Sequence, residues 1–221
     1  MSILISTNNI GLEQNSSNFS NPQSCTKLLW AKLGGTPTGF LSLMGAANAA
    51  FTATANMDAG SSPGLLEVGT APGVFSSFGS QPNFTNWNCY ALTMGTAGSN
   101  SLTGYWQDNA GGGFVSHSMT GVNFTNALDF IGFFYAPVSI TAAFYMEWNT
   151  VLTPAQLATQ FSSSTPTVLL GNLHRYLPLA NAATAGLDQS GNGFNMTVLG
   201  TLSDGPVNPS FSTDLQAQVC L

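Results

Sequence analysis

The stretch LDFIGFFYAPVSITAAFYMEWNTVLTPAQLATQF, from Leu128 to Phe161, decides the fold. Leu128–Tyr135 is apolar and aromatic, and Ala136-Pro137 interrupts it. From Val138 onward Val138, Ile140, Ala142, Phe144 and Met146 alternate with other residues, which is the period of a strand. The spacing predicts two strands that break near Pro137, the second with these side chains on one face. Thr153-Pro154-Ala155-Gln156 is a capping box, with Thr153 as cap, Pro154 at the first helical position and Gln156 reaching back. Leu157 and Phe161, four apart, share one face of the short helix predicted near 153–161, and Ser162-Ser163-Ser164 ends it. Ile131–Met146 carries no charge. It is shorter than the roughly 20 residues of a membrane helix and holds Gly132, Pro137, Ser139 and Thr141, so no membrane span is expected.

Outward from this stretch the same grammar recurs. Turn residues punctuate the chain at Gly34-Gly35, Ser61–Gly64, Ala71–Gly73, Gly98–Asn100, Gly111–Gly113 and Gly191–Gly193. Between them lie short β-branched or aromatic runs: Leu28–Leu33, Phe40–Met44, Phe51–Ala55, Leu65–Val68, Val74–Phe78, Tyr90–Met94, Leu102–Gln107, Phe114–Ser118, Arg175–Leu179 and Met196–Leu202. Many short strands with Gly-rich turns predict an all-β sandwich or barrel. No composition break divides the chain, so residues 1–24 are expected as an N-terminal strand or arm and 25–221 as one domain.

Composition narrows the function. Of 221 residues only 3 are Lys or Arg and 9 are Asp or Glu, 5% charged against about 25% in an ordinary domain. The hydrophobic share of 43% is ordinary, so Ser, Thr, Asn, Gly and Ala stand where charges would be. Lys27, Lys32 and Arg175 cannot form a basic stripe, which excludes nucleic acid as a partner. Disorder and coiled coil are excluded as well, for want of charged residues. The polar run Thr7–Gln23 follows a short apolar start with no basic region, and no Sec signal peptide is visible. Cys25, Cys89 and Cys220 have no metal-site spacing; buried thiols and a Cys25–Cys220 bridge both stay open.

Three segments carry a family resemblance. NWNCYALTMGTAGSNSLTGYWQD, Asn86 to Asp108, resembles the paired strands of the concanavalin A-like, laminin-G-like jelly rolls. The Leu128–Phe161 stretch is similar to that family's closing region, with Gly132, Glu147, Leu152, Thr153 and Leu157 at the matching places. RYLPLANAATAGLDQSGNGFNMTVLGTLSDGP, Arg175 to Pro206, resembles the segment that usually opens such a domain, although here it comes last. The resemblance implies a jelly-roll β-sandwich of two antiparallel sheets, lectin-like or enzymatic. Within Asp188-Gln189-Ser190-Gly191-Asn192-Gly193, Asp188 and Ser190 can bond nearby N–H groups and Asn192-Gly193 accepts positive φ, so a structural turn is expected.

The chemistry separates the family's branches. Retaining glycosidases need two carboxylates about 5–5.5 Å apart. Here the nearest acidic neighbours, Asp58 and Glu67, are nine positions apart and no strand carries two on one face, so no catalytic residue is assigned. Glu147 is expected to anchor the turn before the helix, His117 to face solvent and His174 to sit at a sheet edge or interface. No G-x-S-x-G elbow occurs, and two distant histidines without paired cysteines do not have the spacing of a zinc site. Relatives implied by the resemblance bind calcium; Asp108, Asn109, Asp129, Asp188 and Asp204 are the candidates, each isolated in sequence, so no cofactor is expected. For a sugar the best set is Trp87, Tyr105, Trp106, Asp108 and Asn109, although Tyr105 or Trp106 also fits a core position.

The resulting expectation is a non-enzymatic structural or interaction protein, a virion-type jelly-roll subunit such as a phage fibre or decoration protein. Its partners would be copies of itself or other assembly subunits, with a glycan as ligand. Low charge suits subunit packing, since buried charges are costly unless paired. The alternative is a free carbohydrate-binding lectin-like module. Location on a virion or extracellular surface follows from either.

Overall fold

The strand that closes the core, β12 (Ile140–Trp148), is buried at every position and reverses its facing half-way. Phe144 adopts φ 54° there, and the pairing with β3 (Cys25–Leu33) shifts between Ala143 and Tyr145. Such a bulge inserts one residue and turns the following side chains to the other face. Ile140 and Ala142 therefore face the inter-sheet core, whereas Phe144, Met146 and Trp148 face outward and Tyr145 and Glu147 point in. The uninterrupted alternation expected for Val138–Met146 is thus corrected by this bulge.

A computed structural model describes residues 1–5, 11–15, 24–47, 53–59, 65–70, 74–95, 101–109, 114–120, 128–134 and 138–211. They form two antiparallel sheets. The eight-stranded sheet runs β10 (Val115–Met119), β9 (Leu102–Asp108), β8 (Asn88–Met94), β3, β12, β1 (Ile3–Ile5) and β15 (Leu202–Asp204), with β13 (Leu173–Leu177) also on β12. The seven-stranded sheet runs β14 (Thr197–Val198), β2 (Leu12–Asn15), β11 (Leu128–Phe134), β4 (Leu41–Ala47), β5 (Ala53–Ala59), β6 (Leu66–Thr70) and β7 (Val74–Ser77). The chain is a β-sandwich with one α-helix among the described residues, α1 (Pro154–Phe161). Segment 1–24 supplies β1 to one sheet and β2 to the other. No helix among the described residues is long and apolar enough to cross a membrane.

Apolar side chains fill two layers. Between the sheets lie Ile3, Leu29, Leu43, Met57, Val68, Tyr90, Leu92, Trp106 and Tyr145, all at least 90% buried. On the outer face of the eight-stranded sheet, Leu28, Trp30, Cys89, Ala91, Met146 and Trp148 are covered by Leu152, Leu157 and Phe161. Thr153 caps α1 in the expected box: its hydroxyl accepts from the Gln156 N–H at 3.3 Å, and the Gln156 side chain accepts from the Thr153 N–H at 2.9 Å. Cys25 and Cys89 are buried free thiols, and Cys220 lies outside the described residues.

Four charges lie inside the sandwich. Glu147 on β12 is paired in register with Lys27 on β3 and with Arg175 on β13. Its carboxylate is 2.7 Å from Lys27 Nζ and 3.1 Å from the Arg175 guanidinium. Asp129 arrives from β11 in the opposite sheet, 2.6 Å from Lys27 and 3.5 Å from Arg175. None of the four side chains is more than 2% exposed. Glu147 therefore does not anchor the turn before α1; that turn is held by Thr26, whose hydroxyl donates to Thr150 O and accepts from Leu152 N–H. His174 stands on β13, which pairs only with β12 among the described strands, and is 4% exposed with its ring stacked on Phe194 at 4.0 Å. His117 does not face solvent: it is half-buried and hydrogen-bonds Ser76 Oγ at 2.6 Å.

Burial works against each ion in the network, but two cations offset it for Glu147, which is held below the ordinary carboxylate value. Asp129 is pushed above it, by burial and then by the Glu147 charge, against the pull of Lys27 and Arg175. The cap gives a simpler test. Replacing Thr153→Ala should cost about 1 kcal/mol of stability, read as a lower urea midpoint with an unchanged slope.

Candidate functional site

A pocket of about 380 Å3 opens at the end of the eight-stranded sheet, lined by Lys32, Thr85, Asn86, Trp87, Asp108 and Asn109. Three strands bring these residues together: Lys32 stands near the end of β3, Trp87 just precedes β8 and Asp108 closes β9, opposite Asn88. The loop before β8 is locally specified. Asn83 Oδ1 accepts from Thr85 N–H at 3.1 Å and from the Thr85 hydroxyl at 2.8 Å, a short Asx turn. The Asn88 amide then donates to the carbonyls of Asn83 and Asn86, both at 2.9 Å. Backbone bonds from Leu33 N–H to Phe84 O and from Asn109 N–H to Trp87 O tie the loop to both neighbouring strands. Trp87 is thereby held half-buried, with Lys32 Nζ 5.4 Å from its ring centroid, a cation–π geometry.

The five aromatic and polar residues proposed from sequence for a sugar divide. Trp87, Asp108 and Asn109 line the pocket. Tyr105 and Trp106 do not; each is 8% exposed, because adjacent residues of a strand point to opposite faces. Trp106 enters the inter-sheet core, and Tyr105 packs on Phe114 in the outer layer, with ring centroids 5.3 Å apart. Lys32, Thr85 and Asn86 complete the pocket and were missed. The clustered turn residues Asn83, Thr85 and Asn86 were the available signal.

Neither close acidic grouping is open to a substrate. Asp129 and Glu147 are ion-paired inside the sandwich, and Asp58 and Glu67 are 0% and 5% exposed. The acidic residues weighed as calcium ligands are also engaged. Asp204 Oδ1 accepts from Ala182 N–H at 2.9 Å. Asp188 Oδ1 accepts from the N–H of Tyr176 and of Ser190, both at 2.9 Å, and Oδ2 from the Ser190 hydroxyl at 2.8 Å and Phe194 N–H at 3.0 Å. The Asn192 amide donates to the carbonyls of Leu173 and His174, while Gly191 and Gly193 take φ of 92° and 77°. This geometry fastens the segment onto β13, and positive φ is why glycine stands at both positions.

Against known structures the fold is shared at low sequence identity. A Bacteroides ovatus ATCC 8483 protein inferred to bind carbohydrate superposes with TM-score 0.63 at 14% identity, over 95% of this chain and 62% of that one. The full-length tailspike protein 2 of Escherichia coli O157:H7 bacteriophage CAB120 gives TM-score 0.54 at 12% identity, over 81% of this chain and 28% of that one. The chain thus spans less than two thirds of either. No family model and no curated protein matches the sequence.

Burial tends to raise the Asp188 carboxyl, but the hydrogen bonds from Tyr176, Ser190 and Phe194 outweigh it and hold the group below its ordinary value. The stability this contributes is present above the ordinary carboxylate range and is lost as pH falls through the lowered folded value. Asp188→Asn, which cannot accept four donors on two oxygens, should cost roughly 1–2 kcal/mol near neutral pH. Urea titrations across the acid range should show a shallower loss of stability in the variant than in the parent.

Proposed function

We propose that this chain is a non-enzymatic glycan-contacting β-sandwich carried by a larger assembly, a virion fibre or decoration subunit of the concanavalin A-like type. The Trp87 pocket carries this reading. A sugar presents an apolar C–H face and a rim of hydroxyls, and the pocket offers one aromatic ring among carboxylate, amide, hydroxyl and ammonium groups. Ligand sites commonly combine such an apolar platform with a few placed polar groups. Backbone bonds on both sides preorganise the loop, which reduces the ordering cost of binding.

Two further observations support it. The acidic groupings are buried and engaged away from solvent, which suits binding rather than hydrolysis. The low charge of the surface suits burial between subunits, and the same fold occurs in a tailspike.

The test is a glycan array followed by titration calorimetry on the best hit. Trp87→Ala should lower affinity at least tenfold, about 1.4 kcal/mol, with the folded spectrum retained. An array without hits, or a variant that binds as the parent does, would remove the glycan reading. Sedimentation settles the setting: a stable monomer with sugar affinity would favour a free lectin-like module over an assembly subunit.

A further inference from the structure

More is built around the contact between Lys27 and Asp129 than an ion pair requires. Lys27 Nζ stands 2.6 Å from Asp129 Oδ1, and the carboxyl carbon lies one bond beyond that oxygen. A second carboxylate touches the same nitrogen, with Glu147 Oε1 2.7 Å from Nζ. The Tyr145 hydroxyl accepts from Nζ at 3.5 Å and donates to Glu147 Oε2 at 3.3 Å. On the far side of Asp129, Arg175 Nη2 is 3.5 Å from Oδ2. None of these five side chains is more than 2% exposed.

An amine and a carboxyl are thus held in contact in a dry interior, with a base on the amine and a cation on the carboxyl. Reactants fixed in such near-attack geometry behave as if at an effective concentration on the order of 10⁵ M or more. Burial disfavours both ions and favours a neutral product that expels water. Burial, and then the Glu147 charge, push Asp129 toward its acid form, against the pull of Lys27 and Arg175. Burial alone would lower Lys27, but the Asp129 and Glu147 charges outweigh it and hold the ammonium. For the amine to react, its proton must pass to a neighbouring base. Glu147 Oε1 is within reach and is not itself the group under attack.

We propose that Lys27 and Asp129 condense into an intramolecular isopeptide bond joining β3 of one sheet to β11 of the other, with Glu147 as the proton carrier. Glu147 Oε1 takes a proton from the Lys27 ammonium, and the freed lone pair attacks Asp129 Cγ to form the N–C bond. Arg175 stabilises the charge that develops on Oδ2. Glu147 relays protons to Oδ1, the C–Oδ1 bond breaks and one water leaves. Of the three ammonium protons, two depart in that water and one stays on the amide nitrogen. Oδ2 becomes the amide carbonyl oxygen, and Glu147 is again a carboxylate, 3.1 Å from the Arg175 guanidinium. Nothing is oxidised or reduced, and each chain reacts once.

The bond removes two of the four buried ions and leaves Glu147 and Arg175 as a neutral pair. It ties the two sheets covalently through residues 102 apart in the chain. Cys25 and Cys89 are free thiols, so no disulfide serves this purpose among the described residues. A cross-link closing so long a loop restricts the unfolded chain as a disulfide does. The site is distinct from the Trp87 pocket and independent of any glycan.

Intact-mass spectrometry of the denatured full chain, followed by tandem spectrometry of a peptic digest, provides the test. The parent should weigh one water less than its sequence, and a branched peptide should join the segments that hold Lys27 and Asp129. Lys27→Met should show the full mass of its own sequence. Glu147→Gln keeps both reacting groups and is near-isosteric. It should slow bond formation by roughly a hundredfold or more, read as recovery of chain at full mass with a folded spectrum. Should that variant fail to fold, the mass and the branched peptide of the parent decide. A parent at its full sequence mass would overturn the proposal. So would a water loss that maps elsewhere, such as a succinimide at Asp204-Gly205, or a cross-link that forms undiminished in Glu147→Gln.

Discussion

Four buried charges, Lys27, Asp129, Glu147 and Arg175, fasten the two sheets to each other. Three of them form a row across β3, β12 and β13 of one sheet, and Asp129 reaches them from β11 of the other. Placing ions in a protein interior costs several kcal/mol each, and only close mutual contact offsets that cost. The arrangement is therefore unforgiving of register. A shift of one residue in β12 would turn Glu147 outward and leave two cations facing one carboxylate. The Phe144 bulge is what brings Glu147 inward, so a local backbone irregularity sets the electrostatics of the whole core. In a chain with so few charges, concentrating four mutually cancelling ones here leaves the rest of the chain sparsely charged, with acidic residues in excess.

The features that are readable from sequence are those whose causes are local. The capping box at Thr153–Gln156 specifies α1 through two hydrogen bonds between residues three apart. Period-two alternation and glycine turns announce the strands and the two-sheet architecture. Partners that lie far along the chain are not announced in this way. Asp129 is 102 residues from Lys27, and nothing near either position signals the contact. The β12 bulge is hidden for a different reason. Apolar residues keep alternating through Phe144 and Met146, and both faces of that strand are buried, so periodicity is silent about which face is which.

The pocket residues and the buried acidic pair show the same division. Trp87, Asp108 and Asn109 are readable as surface candidates because they sit at strand ends beside turn residues. Tyr105 and Trp106 belong to the strand interior, where the second sheet and the outer layer bury them. Asp58 and Glu67, nine positions apart, become direct neighbours only once the β5–β6 register is known. Recognising β5 as far as Ala59 would have exposed Asn56 and Asp58 as polar residues alternating with an apolar face.

The dependence of the fold on the buried charges is tested most directly by a double-mutant cycle between Lys27→Met and Asp129→Leu, followed by urea unfolding. Each single substitution leaves an uncompensated buried charge and should cost about 3–5 kcal/mol. Removing both partners should cost clearly less than the two single losses together, with a coupling of at least about 1 kcal/mol. Single losses below about 1 kcal/mol that simply add in the double variant would contradict the account.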